Sequence, residues 1–455
     1  MIKKPILVLT IVFSVCCFLS PLHATSPSAE MTKTAEAPQG VTFSTDPHTL
    51  LSQLLNTHQE VQAYKNRVIS AENELRQSIG LYLPSLDLYG DAGKEAIEKE
   101  DQVNSYHWRH ELTLKATQLL TDFGKTTGTI KRDQVALEQA LASLDGITQQ
   151  TLRDGITAYI QVVRARERLK TARYSESRIK ALTGVEKALV EKGAGLTSDV
   201  LQAKSQLAGA MALRVEAQGE LKLAKNRFQA VFYHHPTDEE VAAFIELPLP
   251  DAVLPAQLEP AVAIAMGNNP EIQINKYDLD MSRKDITISK AAYFPTASLF
   301  GEYIHADNND GFDKQRKDYS FGIEFSYNLY SGGSDVAAVR SAQAITTAAA
   351  THLEHSRKLV EEQVRNSWEQ YLTLTERKEL LDQQADILRN FLELAKKERK
   401  MGTRSLLDVL NGEVNYINAQ GTAIAAREDM KIAAYNLVFA MGQMDIDLFK
   451  SDTQE

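Results

Sequence analysis

The chain has 455 residues, 43% hydrophobic and 24% charged, with a formal charge of −10 and only 13 prolines. A mean hydropathy of −0.29 excludes a polytopic helical membrane protein, which needs several apolar runs of about 20 residues. The apolar fraction excludes wholesale disorder, and a pI of about 5.6 excludes a nucleic-acid partner held by a general basic field.

At the N-terminus Lys3 and Lys4 precede the apolar run Ile6–Leu19, and Pro21-Leu22-His23-Ala24 offers a small residue for cleavage. Residues 1–24 therefore read as a secretory signal peptide, with a retained anchor helix as the alternative. Both cysteines, Cys16 and Cys17, fall inside it, so the exported chain has no thiol chemistry. Loss of Lys3 and Lys4 takes the charge from −10 to −12. Residues 25–47, rich in Ser, Thr, Ala and Pro, read as a flexible leader.

From there the sequence is duplicated. His58-Gln59-Glu60-Val61-Gln62 answers Asn269-Pro270-Glu271-Ile272-Gln273, and Leu83-Pro84 answers Phe294-Pro295, both 211 residues apart. Gly193 with Asp199-Val200-Leu201 answers Gly402 with Asp408-Val409-Leu410 at an offset of 209. Such a period is too long for a solenoid unit and marks a duplicated domain. The copies span 48–233 and 257–442, joined by a proline-rich connector at 234–256 and followed by a short tail at 443–455. A short helix is expected in the connector at Asp238–Ile245.

Each copy reads as helix, two strands, very long helix, helix. Ser334 to Lys400 contains neither proline nor glycine. A 4,3 spacing runs through Val360, Val364, Ser367, Tyr371, Leu374, Lys378, Leu381, Ala385, Leu388, Leu392 and Ala395, as in a coiled-coil seam. Copy one carries Ala158, Val162, Ala165, Leu169, Ala172 and Ile179 in that register within Thr126–Lys192. A single solvated coiled-coil rod is the plain alternative.

The strands argue against a rod. Tyr319–Leu329 alternates Tyr, Phe, Ile, Phe, Tyr, Leu with Ser, Gly, Glu, Ser, Asn; copy one alternates through Tyr106, Trp108, His110, Leu112, Leu114 and Ala116. About 11 residues of such alternation is the length of a transmembrane β-strand. Strands are expected at about 84–92, 106–117, 296–306 and 318–329, with charged loops at Gly93–Ser105 and Asp307–Asp318. An ordinary sheet packed on helices is the alternative. Four strands cannot close a barrel. Two chains would give eight strands and a filled interior, whereas three give twelve and a watery one, so a channel favours a trimer. Arg109, Glu111, Lys115 and Glu324 would then line the lumen, while Trp108, Leu112, Leu114, Phe321, Ile323 and Phe325 would face lipid.

The duplicated order, Leu/Phe-Pro before the first strand, Asn328-Leu329-Tyr330-Ser331-Gly332-Gly333 after the last, and Gly402-Thr403-Arg404-x3-Asp408-Val409-Leu410 resemble the TolC family of outer-membrane channel-tunnels. The likeness covers about residues 48–442. It implies a mainly α fold with a small β part: a homotrimer with a 12-stranded β-barrel, four strands per chain, on a long α-helical coiled-coil barrel. It also implies a Gram-negative outer-membrane location with a periplasmic extension, docked through a periplasmic adaptor to an inner-membrane ABC or proton-driven transporter. Copy one departs at Thr121-Asp122-Phe123-Gly124-Lys125, where the family has an Asp-Gly-Gly type turn. Asp122 and Gly124 keep the turn chemistry that Gly332 and Gly333 supply in copy two.

The resemblance places the turns after the long helices at a constricted periplasmic mouth. Asp408 matches its acidic lining residue, Asn411 replaces a second acid one turn later, and Asp199 is placed to pair with Arg404 as a lock. The alternative is that Asp199 and Asp408, or Ser198 and Ser405, merely cap the next helices. Gly124-Lys125-Thr126 is no phosphate loop, because Leu119 stands where the first glycine must be. His352 and His355, three apart, have no third ligand at useful spacing. Neither enzyme activity nor a cofactor is expected. The function expected is an exit duct for exported substrates, with protein secretion favoured by Ser405–Glu413 and Gly193–Leu207. Small-molecule efflux and a pore-free periplasmic scaffold are the alternatives.

Overall fold

The computed structural model describes residues 44–98, 105–193, 196–309 and 314–449. The expected signal peptide and all but the last few residues of the leader lie outside these. In chain order the elements are α1 (Pro47–Thr57), α2 (Gln59–Gly80), β1 (Ser85–Ile97), β2 (Ser105–Thr121), α3 (Lys125–Glu191), α4 (Thr197–Phe232) and the short α5 (Asp238–Ala243). There follow α6 (Leu258–Asn268), α7 (Pro270–Ala291), β3 (Thr296–Asp307), β4 (Gln315–Ser326), α8 (Ser334–Lys400), α9 (Leu406–Ala440) and a 3₁₀ turn at Ile446–Phe449. The order helix, hairpin, long helix, helix occurs twice.

Both long helices have 67 residues, about 100 Å at 1.5 Å per residue. The seam positions of α8 from Val360 to Ala395 are buried or half-buried throughout, while most residues between them are exposed, the buried Trp368 being an exception. In α3, Ala158, Val162, Ala165, Leu169, Ala172 and Ile179 are all buried. Side by side, the helices of the tip-ward half run α4, α3, α9, α8, and those nearer the sheet run α2, α3, α7, α8. The small seam residues of α3 allow this close approach on two sides.

The four strands form one antiparallel sheet, in the order β1-β2-β3-β4. β1 runs to Ile97 and β4 starts at Gln315, so the strands extend into both expected charged loops. The reason is the ladder: Lys94 pairs with Trp108 and Glu95 with His107, so charged residues keep the alternation going. At the other end β4 stops at Ser326, three residues short of Leu329.

Each sheet-to-helix turn must reverse the chain in a few residues, and left-handed backbone does it. Gly332 and Gly333 take φ of 67° and 84°, and Gly124 takes 105°. Phe123 occupies the left-handed position that Gly332 fills in copy two, with φ 52°. Its ring stacks on Phe294 at 5.2 Å, which offsets the steric cost. The buried Asp122 carboxylate accepts from Thr126 N–H at 2.7 Å and from Gly124 N–H at 3.3 Å, tying the turn to the first turn of α3. The connector is pinned by two buried tyrosines. Tyr159 donates to Ile245 C=O at 3.0 Å and accepts from its N–H, and Tyr435 donates to Pro248 C=O at 2.7 Å.

Candidate functional site

The register sorts the sheet into two faces. Trp108, Leu112 and Leu114 lie on one side of β2, and Phe321, Ile323 and Phe325 lie on the same side of β4. All six are exposed, from 38% at Leu114 to 81% at Phe321, which is a large uncovered apolar face for a single chain. The other face carries Arg109, Glu111, Lys115 and Glu324. Arg109 is ion-paired to Asp91 and lies 3.8 Å from Glu95, and its Nη1 donates to Asn309 at 3.1 Å. Lys115 and Glu324 are 3.9 Å apart. One side thus suits hydrocarbon and the other water. No helix among the described residues is long and apolar enough to cross a membrane.

At the far end, α3 meets α4 and α8 meets α9 through tight turns with Gly193 at φ 75° and Gly402 at φ 82°. Ser405 caps α9, accepting from Asp408 N–H at 3.1 Å. The cap role therefore belongs to Ser405, and the Asp408 carboxylate is left exposed in the first turn. Asn411, also exposed, lies one turn on and accepts from Gln206 Nε2 of α4 at 3.2 Å. Asp199 occupies the matching first turn of α4, where it accepts from the Ser198 hydroxyl at 3.3 Å.

The expected Arg404–Asp199 lock is not formed within the chain. Arg404 turns back on its own hairpin instead: Nε lies 2.9 Å from Glu398 Oε2, and the guanidinium stacks 5.1 Å from the Phe391 ring. The reversal after Lys400 brings Glu398, six positions before Arg404 in the chain, within reach, so the local partner wins over one on another helix pair. Phe391 is held in place by Gly412, whose bare Cα lets α9 approach the ring closely.

The ties between the helix pairs are other residues. Glu413 of α9, 1% exposed, lies 3.5 Å from Arg178 Nε on α3 and 3.2 Å from Lys396 Nζ on α8. Glu186 of α3, also buried, lies 3.6 Å from Arg399 of α8, whose other nitrogen donates to Arg404 C=O at 3.3 Å. Each buried carboxylate has one oxygen, Oε2, without an aligned hydrogen bond, so these pairs hold by charge more than by directed bonding. A seam argument would have found both. Leu406, Leu410, Glu413 and Ile417 follow a 4,3,4 spacing, and Ile179, Thr183 and Glu186 continue the seam of α3.

His352 is engaged otherwise, with Nδ1 2.9 Å from Asn275 Oδ1 on α7. Among the described residues no group of His, Cys, Asp and Glu is disposed to hold a metal ion.

The family model for outer membrane efflux proteins matches residues 50–232 and 262–443, once for each copy. The chain belongs to the outer membrane efflux protein family. Its curated relatives include the outer membrane efflux protein BepC of Brucella suis, 24% identical over 73% of this chain and 72% of that protein. They also include the alkaline protease secretion protein AprF of Pseudomonas aeruginosa, 23% identical over 73% and 69%. Outer membrane protein TolC of Vibrio cholerae is 22% identical over 69% and 72%. Among solved structures, the outer-membrane channel OprN superposes with a TM-score of 0.75 over 87% of this chain and 90% of that one, at 22% identity. The open state of the Neisseria gonorrhoeae MtrE channel gives 0.74 over 90% and 91%, at 18% identity. The fold is that of these channels, and the family places the chain in the outer membrane with its helices in the periplasm.

Proposed function

We propose that three copies of this chain form the exit duct of a tripartite export system, handing substrates from an inner-membrane transporter and a periplasmic adaptor to the exterior. The observation that carries this is the alignment of unpaired edges. β1 and β4 are the open edges of the sheet, α2 and α8 those of the sheet-proximal helices, and α4 and α8 those of the tip. A rotational ring closes all three sets at once, and an open apolar sheet would otherwise aggregate. The α8 edge carries Leu380, Ile387 and Leu394, continued by Met401 at its C-cap, spaced by sevens and all more than half exposed, as a helix awaiting a partner requires. Twelve strands leave a watery lumen, and eight do not.

The tip acts as the gate. Asp408 from three chains forms an anionic ring that favours cations by field focusing. Glu413 with Arg178 and Lys396, and Glu186 with Arg399, hold α8 and α9 against α3; opening separates these pairs so that the inner helices splay. Secreted protein is the cargo favoured, in keeping with the Ser405–Glu413 segment and with AprF, a relative whose name ties it to protease secretion. A deletion strain, scored for secreted proteins and for drug sensitivity, tests this. Loss of secreted proteins at unchanged drug sensitivity supports the reading, and drug sensitivity alone moves the cargo to small molecules. A salt-soluble monomer would return the scaffold alternative.

A further inference from the structure

The outward face of the sheet is sorted by charge as well as by polarity. From the helix end upward it is uncharged through Leu86, Leu88, Leu112, Leu114, Phe321 and Ile323. All its ionisable groups except the tyrosines lie near the loop end: Lys94 on β1, His110 on β2, His305 and Asp307 on β3, and Lys317 on β4. Asp307 is spent on His110, Oδ2 to Nε2 at 3.3 Å. Lys94 and Lys317 are exposed, and the Lys94 ammonium lies over the Trp108 ring, 5.3 Å from its centroid. On the inward face at this level the sign is opposite, with Asp91, Glu95, Glu111 and Asp318 against Arg109 and Arg316. The balance of charge at the rim thus differs in sign between the two faces.

We propose that this outward rim docks the phosphate groups of lipid headgroups in the leaflet at the loop end of the barrel. It rests on the trimeric barrel reading for which face meets lipid. A strand-borne lysine at the interface offers a headgroup phosphate a cation already partly desolvated by the neighbouring aromatic ring. In a trimer the edges β4 and β1 of adjacent copies meet, so Lys317 of one chain and Lys94 of the next flank each junction.

The test uses the purified full chain in nanodiscs of a neutral, phosphate-free glycolipid doped with bisphosphorylated lipid A, and in parallel with its dephosphorylated form. Lipid retained on the re-extracted oligomer is counted by native mass spectrometry. At about fivefold per lysine, the phosphorylated form is retained at least fivefold over the dephosphorylated one. Lys94→Gln with Lys317→Gln brings the two to parity, and the inward Lys115→Gln leaves the ratio unchanged. No enrichment in the unsubstituted chain, enrichment that survives the double substitution, or an equal fall with Lys115→Gln would each overturn the rim. Heat-modifiable mobility in the same samples separates the two readings. An intact oligomer without enrichment sinks the rim alone, whereas a chain that forms no oligomer sinks the barrel and the rim with it.

Discussion

Glu413 on α9 and Arg178 on α3 face each other at 3.5 Å, joining two helix pairs that the proposed opening motion would part. The carboxylate is 1% exposed and the guanidinium 35%, so removing one partner should cost between about 1 kcal/mol, as for an exposed pair, and the roughly 3–5 kcal/mol of leaving a buried charge unpaired. Glu413→Gln, alone and with Arg399→Gln, is therefore expected to raise single-channel conductance in planar bilayers, the double variant more than the single. Arg404→Ser is expected to do less, because its partner Glu398 lies on its own hairpin. Unchanged conductance in correctly folded trimers of both Glu413 variants would remove the buried ties from the gate.

Asp408 leaves capping to Ser405 and keeps an exposed carboxylate. Asp408→Ala is expected to lower cation selectivity, measured as reversal potential in a salt gradient, and to weaken block by multivalent cations. Helix stability should change little, whereas Ser405→Ala should cost about 1 kcal/mol through the lost cap and leave selectivity intact. A selectivity change with Ser405→Ala and none with Asp408→Ala would reverse these assignments.

The left-handed Phe123 sets two effects of similar size against each other. The backbone strain costs about 1–2 kcal/mol, and the stack on Phe294 returns about 0.5–1.5 kcal/mol beyond its buried area. Phe123→Ala loses the stack and keeps the strain, so it should melt below Phe123→Gly, which loses both. The reverse order of melting temperatures would show that the turn is not strained.

Nearer the connector, burial pushes the Glu428 carboxyl above its ordinary value of 4.5, against the opposing pull of Lys431. Since the folded chain holds this proton more tightly than the unfolded one, the contribution is full below pH 4.5 and is lost as pH rises through the folded value. Glu246, held below its ordinary value chiefly by its bond from Lys431, acts in the opposite sense: its stabilisation is lost as pH falls below 4.5 through the folded value. Glu428→Gln should therefore flatten the fall in melting temperature between pH 4.5 and neutrality. A slope unchanged by that substitution would mean that Glu428 does not titrate there.

What could be read from the sequence follows from how regular each constraint is. The Pro- and Gly-free run from Ser334 to Lys400 is α8, residue for residue, because nothing inside it opposes a helix and a 4,3 seam rewards one. Trp108, Leu112, Leu114, Phe321, Ile323 and Phe325 fall on one face because strand alternation admits few other arrangements. The loop ends of β1 and β4 were hidden because Lys94, Glu95, Arg316 and Lys317 look like loop, yet they pair across a ladder. Partner choice was least legible. Asp199 matched a motif, but a flexible Arg404 takes the carboxylate its own turn brings close. Glu186 and Glu413 sit at seam positions that require burial, yet as lone carboxylates on long charged helices they carry no residue-type signal that sets them apart.

The account rests on three copies closing one ring, and the native mass of the oligomer extracted from outer membranes tests it most directly. Three chains per particle, converted to monomer on heating, is the predicted result. A monomer or a two-chain particle would contradict it, because neither can close a twelve-stranded pore from a sheet of four strands.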